Sequence, residues 1–228
     1  MKYQHTVVII LPALNEEVTI GKVIDEIPTQ ELTQKGYDVK VVVADGNSTD
    51  KTRQIAEAKG AEIIIEPRKG KGRAMRTAFE QTKADFIFMI DADYTYPTTY
   101  IPDMLDILQH NNDVVIGSRL KGERENGAMN RLNVVGNYIL TSIANTLYRT
   151  KISDLCTGYW GFRGEIVPQL HLSADGFDFE ADLFMQLTKN NYHIVEIPID
   201  YRRRPNETKL NSLTDGLKIG WKLITERF

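Results

Sequence analysis

"FIFMIDADYTYP", residues 86–97, is the stretch whose reading decides the fold. An unbroken apolar run, Phe86 to Ile90, stops at two aspartates, Asp91 and Asp93, with Ala92 between them. A short apolar run bounded by turn residues reads as a strand buried on both faces, the kind found in parallel sheets. Two like charges two residues apart repel, a costly arrangement unless something positive sits between them. In an extended chain residues i and i+2 point to the same side, so both carboxylates can share a hard divalent cation, which prefers oxygen ligands. The competing reading is a turn, where aspartate is common.

Outward from this stretch, strand-like and helix-like patterns alternate. Residues 6–13, 38–46, 61–67, 85–91 and 113–118 read as strands. Residues 15–27, 48–60, 72–83 and 99–110 read as helices, the first capped by Asn15 and the second by Ser48 or Thr49. Repeated strand–helix–strand units predict an α/β protein, a Rossmann-like, mostly parallel central sheet with helices on both faces. In such sheets ligands bind outside the carboxyl ends of the strands. The polar clusters fall there: Asn15-Glu16-Glu17, Asp45-Gly46-Asn47, Arg68 to Arg73, and Asp91-Ala92-Asp93. The second half is less regular. It holds helix candidates at 131–148 and 179–190, a glycine- and aromatic-rich "TGYWGFRG" (157–164), a partly alternating strand at 192–201, a basic loop "RRRPNETK" (202–209) and a last helix. With no repeat, low-complexity tract or linker, the expectation is one domain over 1–228.

Composition narrows the function classes. Of 228 residues, 42% are hydrophobic and 26% charged, which is ordinary for a globular chain. A net charge of −3 gives no case for nucleic acid as a partner. The one cysteine, Cys156, leaves no intrachain disulfide and fits a reducing compartment. The first apolar run breaks at Pro12, so no signal pattern is expected, nor is any run suited to spanning a membrane. The four histidines are scattered, which argues against a histidine-built metal site. "RKGKGR" (68–73) sets four basic side chains around two glycines ahead of a helix, a pattern that attracts phosphate; a solvated loop is the competing reading. It is neither a Walker A loop nor a Rossmann fingerprint. Asp45 closes its strand as Asp91 closes another, placed to accept a ligand's N–H or hydroxyl, or simply to form a turn. Together these clusters point to a bound diphosphate.

The ordered set "LPALNEE" (11–17), "VVVADGNSTDKT" (41–52), "GKGRAMRTA" (70–78), "DADYTYP" (91–97) and "VIGSR" (115–119) resembles the family 2 glycosyltransferases of GT-A fold. In the second half "ISDLCTGYWGFR" (152–163), "GFDFEADLF" (176–184) and "VEIPIDYRRRPNETKL" (195–210) are similar to the dolichyl-phosphate mannose and glucose synthase branch. The resemblance implies that Pro12, Leu14, Asn15 and Glu16 cradle the nucleotide and that Asp45 contacts the base. It implies that Asp91 and Asp93, with Ala92 between them, hold Mg²⁺ or Mn²⁺ against the diphosphate. Lys71 falls in the glycine-rich segment on the nucleotide-sugar side. Arg119 and Asp154 match acceptor-side and sugar-side positions, and Arg202, Arg204 and Lys209 match a basic loop that closes over the phosphates. Residues 1–118 then form the nucleotide-sugar half and 119–228 the acceptor half. The chain departs from the family pattern at Gly46 and Asn47, at Cys156 to Trp160, and at Thr95, where relatives often carry glutamine. Those departures leave base and sugar open among UDP-glucose, a UDP-N-acetylhexosamine and GDP-mannose.

The implied reaction is an inverting transfer of a hexose from a nucleotide-sugar donor to a polyprenyl (dolichyl) phosphate. Rival readings keep the donor but use a soluble hydroxyl acceptor, or retain donor binding without turnover. A hydroxyl acceptor needs a base, for which Glu180 and Asp182 are candidates; otherwise both are helix N-terminal carboxylates favoured by the dipole. A lipid acceptor implies a cytoplasmic protein held peripherally on the membrane, directly or through a membrane partner protein. Helix 131–148, uncharged between Arg131 and Arg149, either lies in the interface or packs its stripe of Leu132, Val135, Ile139, Ile143 and Leu147 into the core. Lys218, Lys222 and Arg227 of the last helix add positive charge for anionic headgroups.

Overall fold

The computed structural model describes residues 4–205 and 212–227. Seven strands form one sheet in the order β3-β2-β1-β4-β6-β5-β7. They are β1 (His5–Ala13), β2 (Tyr37–Asp45), β3 (Glu62–Ile65), β4 (Phe86–Ile90), β5 (Val114–Ser118), β6 (Tyr159–Arg163) and β7 (Ile194–Pro198). The helices are α1 (Ile20–Glu26), α2 (Thr29–Gln34), α3 (Thr52–Ala58), α4 (Lys71–Gln81), α5 (Ile101–Gln109), α6 (Arg131–Tyr148), α7 (Phe179–Lys189) and α8 (Ser212–Thr225). All pairings are parallel except those of β6, which runs antiparallel between β4 and β5.

The continuous apolar runs exist because both faces are covered. Every residue of β4 and β5 is buried. One face packs Ile10, Met89 and Trp160 against α4 and α7; the other packs Ile9, Phe88 and Tyr159 against α1 and α5. The chain leaves β1 towards β2 and β3 on one side, and β4 opens the other side. This reversal of strand order creates the crevice at the carboxyl edge where such sheets take ligands. Asp45 and Asp91 stand at that edge.

Several local expectations are corrected. Helix α1 begins at Ile20 rather than at 15, because Asn15 takes a left-handed φ of 50° and its side chain accepts from the Thr49 N–H. Ser48 and Thr49 do not cap α3, which starts at Thr52: the Ser48 hydroxyl accepts instead from the Asn15 N–H at 2.9 Å. The glycine-rich "TGYWGFRG" holds strand β6. At Gly161 a Cβ would lie 2.6 Å from the Phe88 ring, and at Gly164 it would strike the Ala84 carbonyl, so these glycines serve close packing within the sheet.

Helix α6 turns its polar side inward. Asn137, Thr141 and Ala144 are buried, whereas Leu132, Val135 and Ile139 are more than half exposed. The expectation that this stripe packs into the core therefore fails for these three residues. No helix among the described residues is long and apolar enough to cross a membrane.

Trp160 is fully buried and stacked on Phe162 at 6.0 Å between ring centroids. Trp160→Ala is expected to lower unfolding free energy by about 3–5 kcal/mol, through lost burial and the cavity left behind, read as a lower urea midpoint.

Candidate active site

Each of the two aspartates after β4 has its own cation. Lys71, the first residue of α4, places Nζ 2.5 Å from Asp91 Oδ1 and 2.5 Å from Glu180 Oε1 on α7. Arg204 donates to Glu16 Oε1 at 2.5 Å and lies 3.2 Å from Asp93 Oδ2. The other oxygen of Asp93 accepts from the Thr95 hydroxyl at 2.5 Å and from the Thr95 N–H at 3.1 Å. The like charges are thus separated by two positive bridges, each anchored on a further carboxylate.

The electrostatics remain loaded. Burial raises the Asp93 pKa, the Asp91 charge adds to it, and Arg204 opposes both. Burial likewise raises that of Glu180 against the pull of Lys71. For Lys71 burial works against the charge, but Asp91 and Glu180 outweigh it and the amine is held protonated. The Cys156 thiol, also beside the cleft, is pushed up to about 12 by burial and is inert at neutral pH.

The acidic pair fits a divalent ion in one specific way. Among the described residues no group of three or more acidic, cysteine or histidine side chains gathers as a complete metal cage. Two carboxylates completed by phosphate oxygens and water are the usual setting for Mg²⁺-type ions. Room for this is built in: a Cβ at Gly158 would fall 2.2 Å from Asp91 Oδ2, so the missing side chain is the space the carboxylate occupies.

Other predicted residues divide between cleft and scaffold. Arg119 forms a paired contact with Asp154, Nε to Oδ2 at 2.8 Å and Nη2 to Oδ1 at 2.7 Å, and its guanidinium lies 5.3 Å from the Tyr201 ring centroid. Asn137 of α6 donates to the same Asp154 at 2.6 Å. Asp154 is fully buried and does not line the cleft, so it orients Arg119. Arg202 pairs with Glu26 and stacks 4.7 Å over Tyr94, outside the cleft; Arg203 and Arg204 line it instead. Of the basic residues in "RKGKGR", Lys71 alone lines the cleft. Arg68 pairs with Glu66, and Arg73 with Asp175. The two glycines do not cradle phosphate: a Cβ at Gly70 or Gly72 would strike the carbonyls of Asp175 or Ala174. Asp182 accepts from the N–H groups of Ser173 and Ala174 and faces Lys222, which removes it as a base. Pro12 sits half-buried within β1, Leu14 is exposed at its end, Ala92 is buried, and Asp45 is fully buried. Lys209 lies outside the described residues. Sequence reading gave no role to Asn137, Tyr96 or Tyr201, although Tyr96 and Tyr201 fall within the quoted segments 91–97 and 195–210.

From Asp91, Asp93 and Arg119 the cleft, about 870 Å³, continues between α6 and α8. Its far walls are apolar: Leu132, Ile139 and Ile143 from α6, and Leu213, Leu217 and Trp221 from α8.

A mostly parallel sheet with an acidic pair closing its central strand, covered by a basic strap, defines the GT-A class of glycosyltransferase. Residues 8–170 match the model "Glycosyl transferase family 2", and the chain belongs to that family and is a glycosyltransferase. It is 36% identical over 219 residues to glycosyltransferase AglJ of Haloferax volcanii, covering 95% of this chain and 70% of that one. It is 32% identical over 216 residues to a dolichyl-phosphate hexose transferase of the same organism, covering 95% and 91%. A low-salt glycan biosynthesis hexosyltransferase, also from Haloferax volcanii, is 37% identical over 214 residues; the chain spans about half of it, 51%. Among solved structures, glucosyl-3-phosphoglycerate synthase from Mycobacterium tuberculosis in complex with Mn²⁺, UDP and glucosyl-3-phosphoglycerate superposes with a TM-score of 0.74 at 23% identity, over 98% of this chain and 80% of that one.

Arg119 holds the Asp154 pKa down against the cost of burial. Asp154 therefore adds stability that is complete above the unfolded value of about 3.9 and lost as pH falls through the lower folded value. Asp154→Asn, which strands a buried guanidinium, is expected to cost about 3–5 kcal/mol at pH 7. The gap from wild type should narrow in acid, as measured by urea unfolding across pH.

Proposed function

We propose that the chain transfers a hexose, with inversion, from a nucleotide-diphosphate sugar to a polyprenyl phosphate at the membrane surface. The observation that carries this reading is the continuity of one cleft from the acidic pair and Arg119 to an apolar groove between α6 and α8. A charged headgroup and a long hydrocarbon chain need that combination, whereas a small polar acceptor has no use for the groove. The outward apolar faces support the same reading. Leu132, Val135 and Ile139 of α6, with Leu213, Leu217 and Trp221 of α8, are all at least half exposed. Arg131, Arg203 and Lys218 beside them are exposed cations suited to anionic headgroups. Within one domain, residues 1–118 would take the donor and 119–228 the acceptor.

The chemistry follows from the side chains. Asp91 and Asp93 would hold Mg²⁺ or Mn²⁺, which supplies a Lewis acid for the departing nucleoside diphosphate. Arg204 and Lys71 stand where charge accumulates on that leaving group. Arg119, preset by Asp154 and Asn137, orients the acceptor phosphate. A phosphate oxygen forms the new bond to the anomeric carbon from the face opposite the diphosphate, whose bond to that carbon breaks with its electron pair. No proton has to be removed. Among the described residues the carboxylates lining the cleft are Asp91, Asp93 and Glu180, and each faces Lys71 or Arg204. This suits an acceptor that arrives as an anion better than a hydroxyl in need of a base.

Radiolabelled sugar from UDP- or GDP-sugars, incubated with Mn²⁺ and polyprenyl phosphate in vesicles, is expected to enter the organic phase; product confined to the aqueous phase would exclude the lipid acceptor. Asp93→Asn is expected to abolish transfer with the melting temperature little changed; normal turnover in Mg²⁺ would refute the metal assignment. Leu217→Asp with Trp221→Asp should weaken vesicle binding at least tenfold, measured by co-sedimentation, while Mn²⁺-dependent UDP or GDP binding is unchanged.

A further inference from the structure

Two glycines on the facing helices of the apolar groove have no structural use within the described chain. Glycine inside a helix is destabilising relative to alanine, so it normally marks a positive φ or a close approach. Of the 16 glycines, only Gly136 of α6 and Gly216 of α8 have neither. Their φ lies outside the left-handed range, and among the described residues nothing lies within 4 Å of an added Cβ apart from the helix's own backbone and the adjoining residues. Both line the cleft. A helical period of 3.6 sets Leu132, Gly136, Leu140 and Ile143 on one stripe of α6, and all four line the cleft, so Gly136 stands in the middle of the lining face. Ser212, Gly216 and Gly220 recur one turn apart on α8 and line it in the same way. The two helices are pinned at their C-terminal ends, where Tyr148 Oη donates to the Leu223 carbonyl at 3.2 Å and Arg227 Nε to the Leu147 carbonyl at 2.8 Å. They still touch at Gly220, where a Cβ would lie 3.5 Å from Leu140 Cδ2. One turn earlier on each helix, at Gly136 and Gly216, they have parted. The result is a trough with backbone for its floor and Leu132, Ile139, Leu213 and Leu217 for its walls.

We propose that Gly136 and Gly216 select a methyl-branched isoprenoid chain over a straight one, an inference that rests on the lipid-phosphate acceptor proposed above. The recess each glycine leaves is the size of one methyl group. A polyprenyl chain carries a methyl branch on every fourth carbon and needs such recesses along its path. A straight alkyl chain leaves them unfilled, and an unfilled recess forfeits the contacts its walls could make. The distinction matters at a membrane, where straight-chain phosphate esters such as phosphatidic acid are also present. Charge does not separate the two kinds of lipid, because both bring a phosphate monoester to Arg119. Chain shape does. Alanine at either position would set a protein methyl where the methyl of the lipid belongs. The two glycines therefore break the local preference of their helices at the one face where a ligand makes use of it.

Phytanyl phosphate and hexadecyl phosphate share one main-chain length and differ in their methyl branches. Each is presented in phosphatidylcholine vesicles, beside polyprenyl phosphate, to the full chain with Mn²⁺ and radiolabelled UDP- and GDP-sugars. The wild-type chain is expected to use phytanyl phosphate with a kcat/KM about tenfold or more above that for hexadecyl phosphate, since each buried methyl group is worth roughly fourfold. Gly136→Ala and Gly216→Ala should each raise the melting temperature by about 2–4 °C through better helix propensity. Each should also raise KM for phytanyl phosphate and cut its preference over hexadecyl phosphate about fourfold. A glycine kept for packing behaves in the opposite way: its alanine variant melts lower and loses both acceptors equally, and that result overturns the assignment. Equal use of the two esters by the wild-type chain overturns it too and leaves the lipid acceptor standing. Transfer to none of the three lipid phosphates overturns the acceptor reading itself. The wild-type comparison decides the question even if an alanine variant does not fold.

Discussion

The repulsion between Asp91 and Asp93 is the constraint to which the rest of the site answers. Two carboxylates at the end of a buried strand are tolerated because Lys71 and Arg204 stand against them, and each cation is itself divided between two acids. Among the described residues these four carboxylates face Lys71 and Arg204, so neither aspartate is unpaired. That balance would suit the proposed binding of a divalent cation and a diphosphate together. On the proposed reading, a divalent ion would add the positive charge the acids lack, and phosphates would offer Lys71 and Arg204 further partners. The raised Asp93 pKa expresses the same strain: burial and a neighbouring charge both resist ionisation until more positive charge arrives.

The fold holds this balance by bringing distant segments close. Lys71 and Glu180 are 109 residues apart, and Arg204 and Glu16 are 188 apart. The first pair is fixed by the fit of Gly70 and the first turn of α4 against Ala174 and Asp175, where glycine is required because backbone meets backbone. The second is fixed by the strap after β7, which the Arg202 pairing with Glu26 binds to α1. The glycines of "RKGKGR" therefore act at one remove. They seat the start of α4 against the segment at Ala174 and Asp175, and Lys71 reaches Asp91 from there.

These distances explain what the sequence disclosed and what it hid. Buried parallel strands announce themselves as unbroken apolar runs, so β1, β2, β4 and β5 were legible, and with them the α/β class and the edge where ligands bind. Strand β6 was not, since Gly158, Gly161 and Gly164 carry the local signature of a loop and only their neighbours Asp91, Phe88 and Ala84 explain them. Short α2, behind Pro28, has too few turns to show a period. In the site, Asp91 and Asp93 were legible by position alone. The partition of their neighbours was not: Asp154 and Arg202 carry charges that sequence assigns to chemistry, while the structure turns them to Arg119 and Glu26. Helix α6 shows the same limit in reverse. Its apolar stripe was plain, but whether the stripe faced core or solvent depended on Asn137, whose amide is needed inside by Asp154.

Thr95 shows how donor site and strap become one unit. Its hydroxyl and N–H both go to Asp93 Oδ1, and its carbonyl accepts from the Arg202 N–H at 2.9 Å. A longer polar side chain at this position, such as the glutamine frequent in the resembling branch, can extend past Asp93 towards a ligand. Threonine cannot reach so far, and its β-branched, buried side chain has little freedom to turn elsewhere. It fixes the aspartate directly and the strap through the backbone. Asp93 is thus joined through Thr95 to Tyr201–Arg204, the segment that sets Arg204 against Asp93 and Tyr201 against Arg119. The acidic pair and Arg119 are thus tied into one unit through one hydroxyl and one carbonyl.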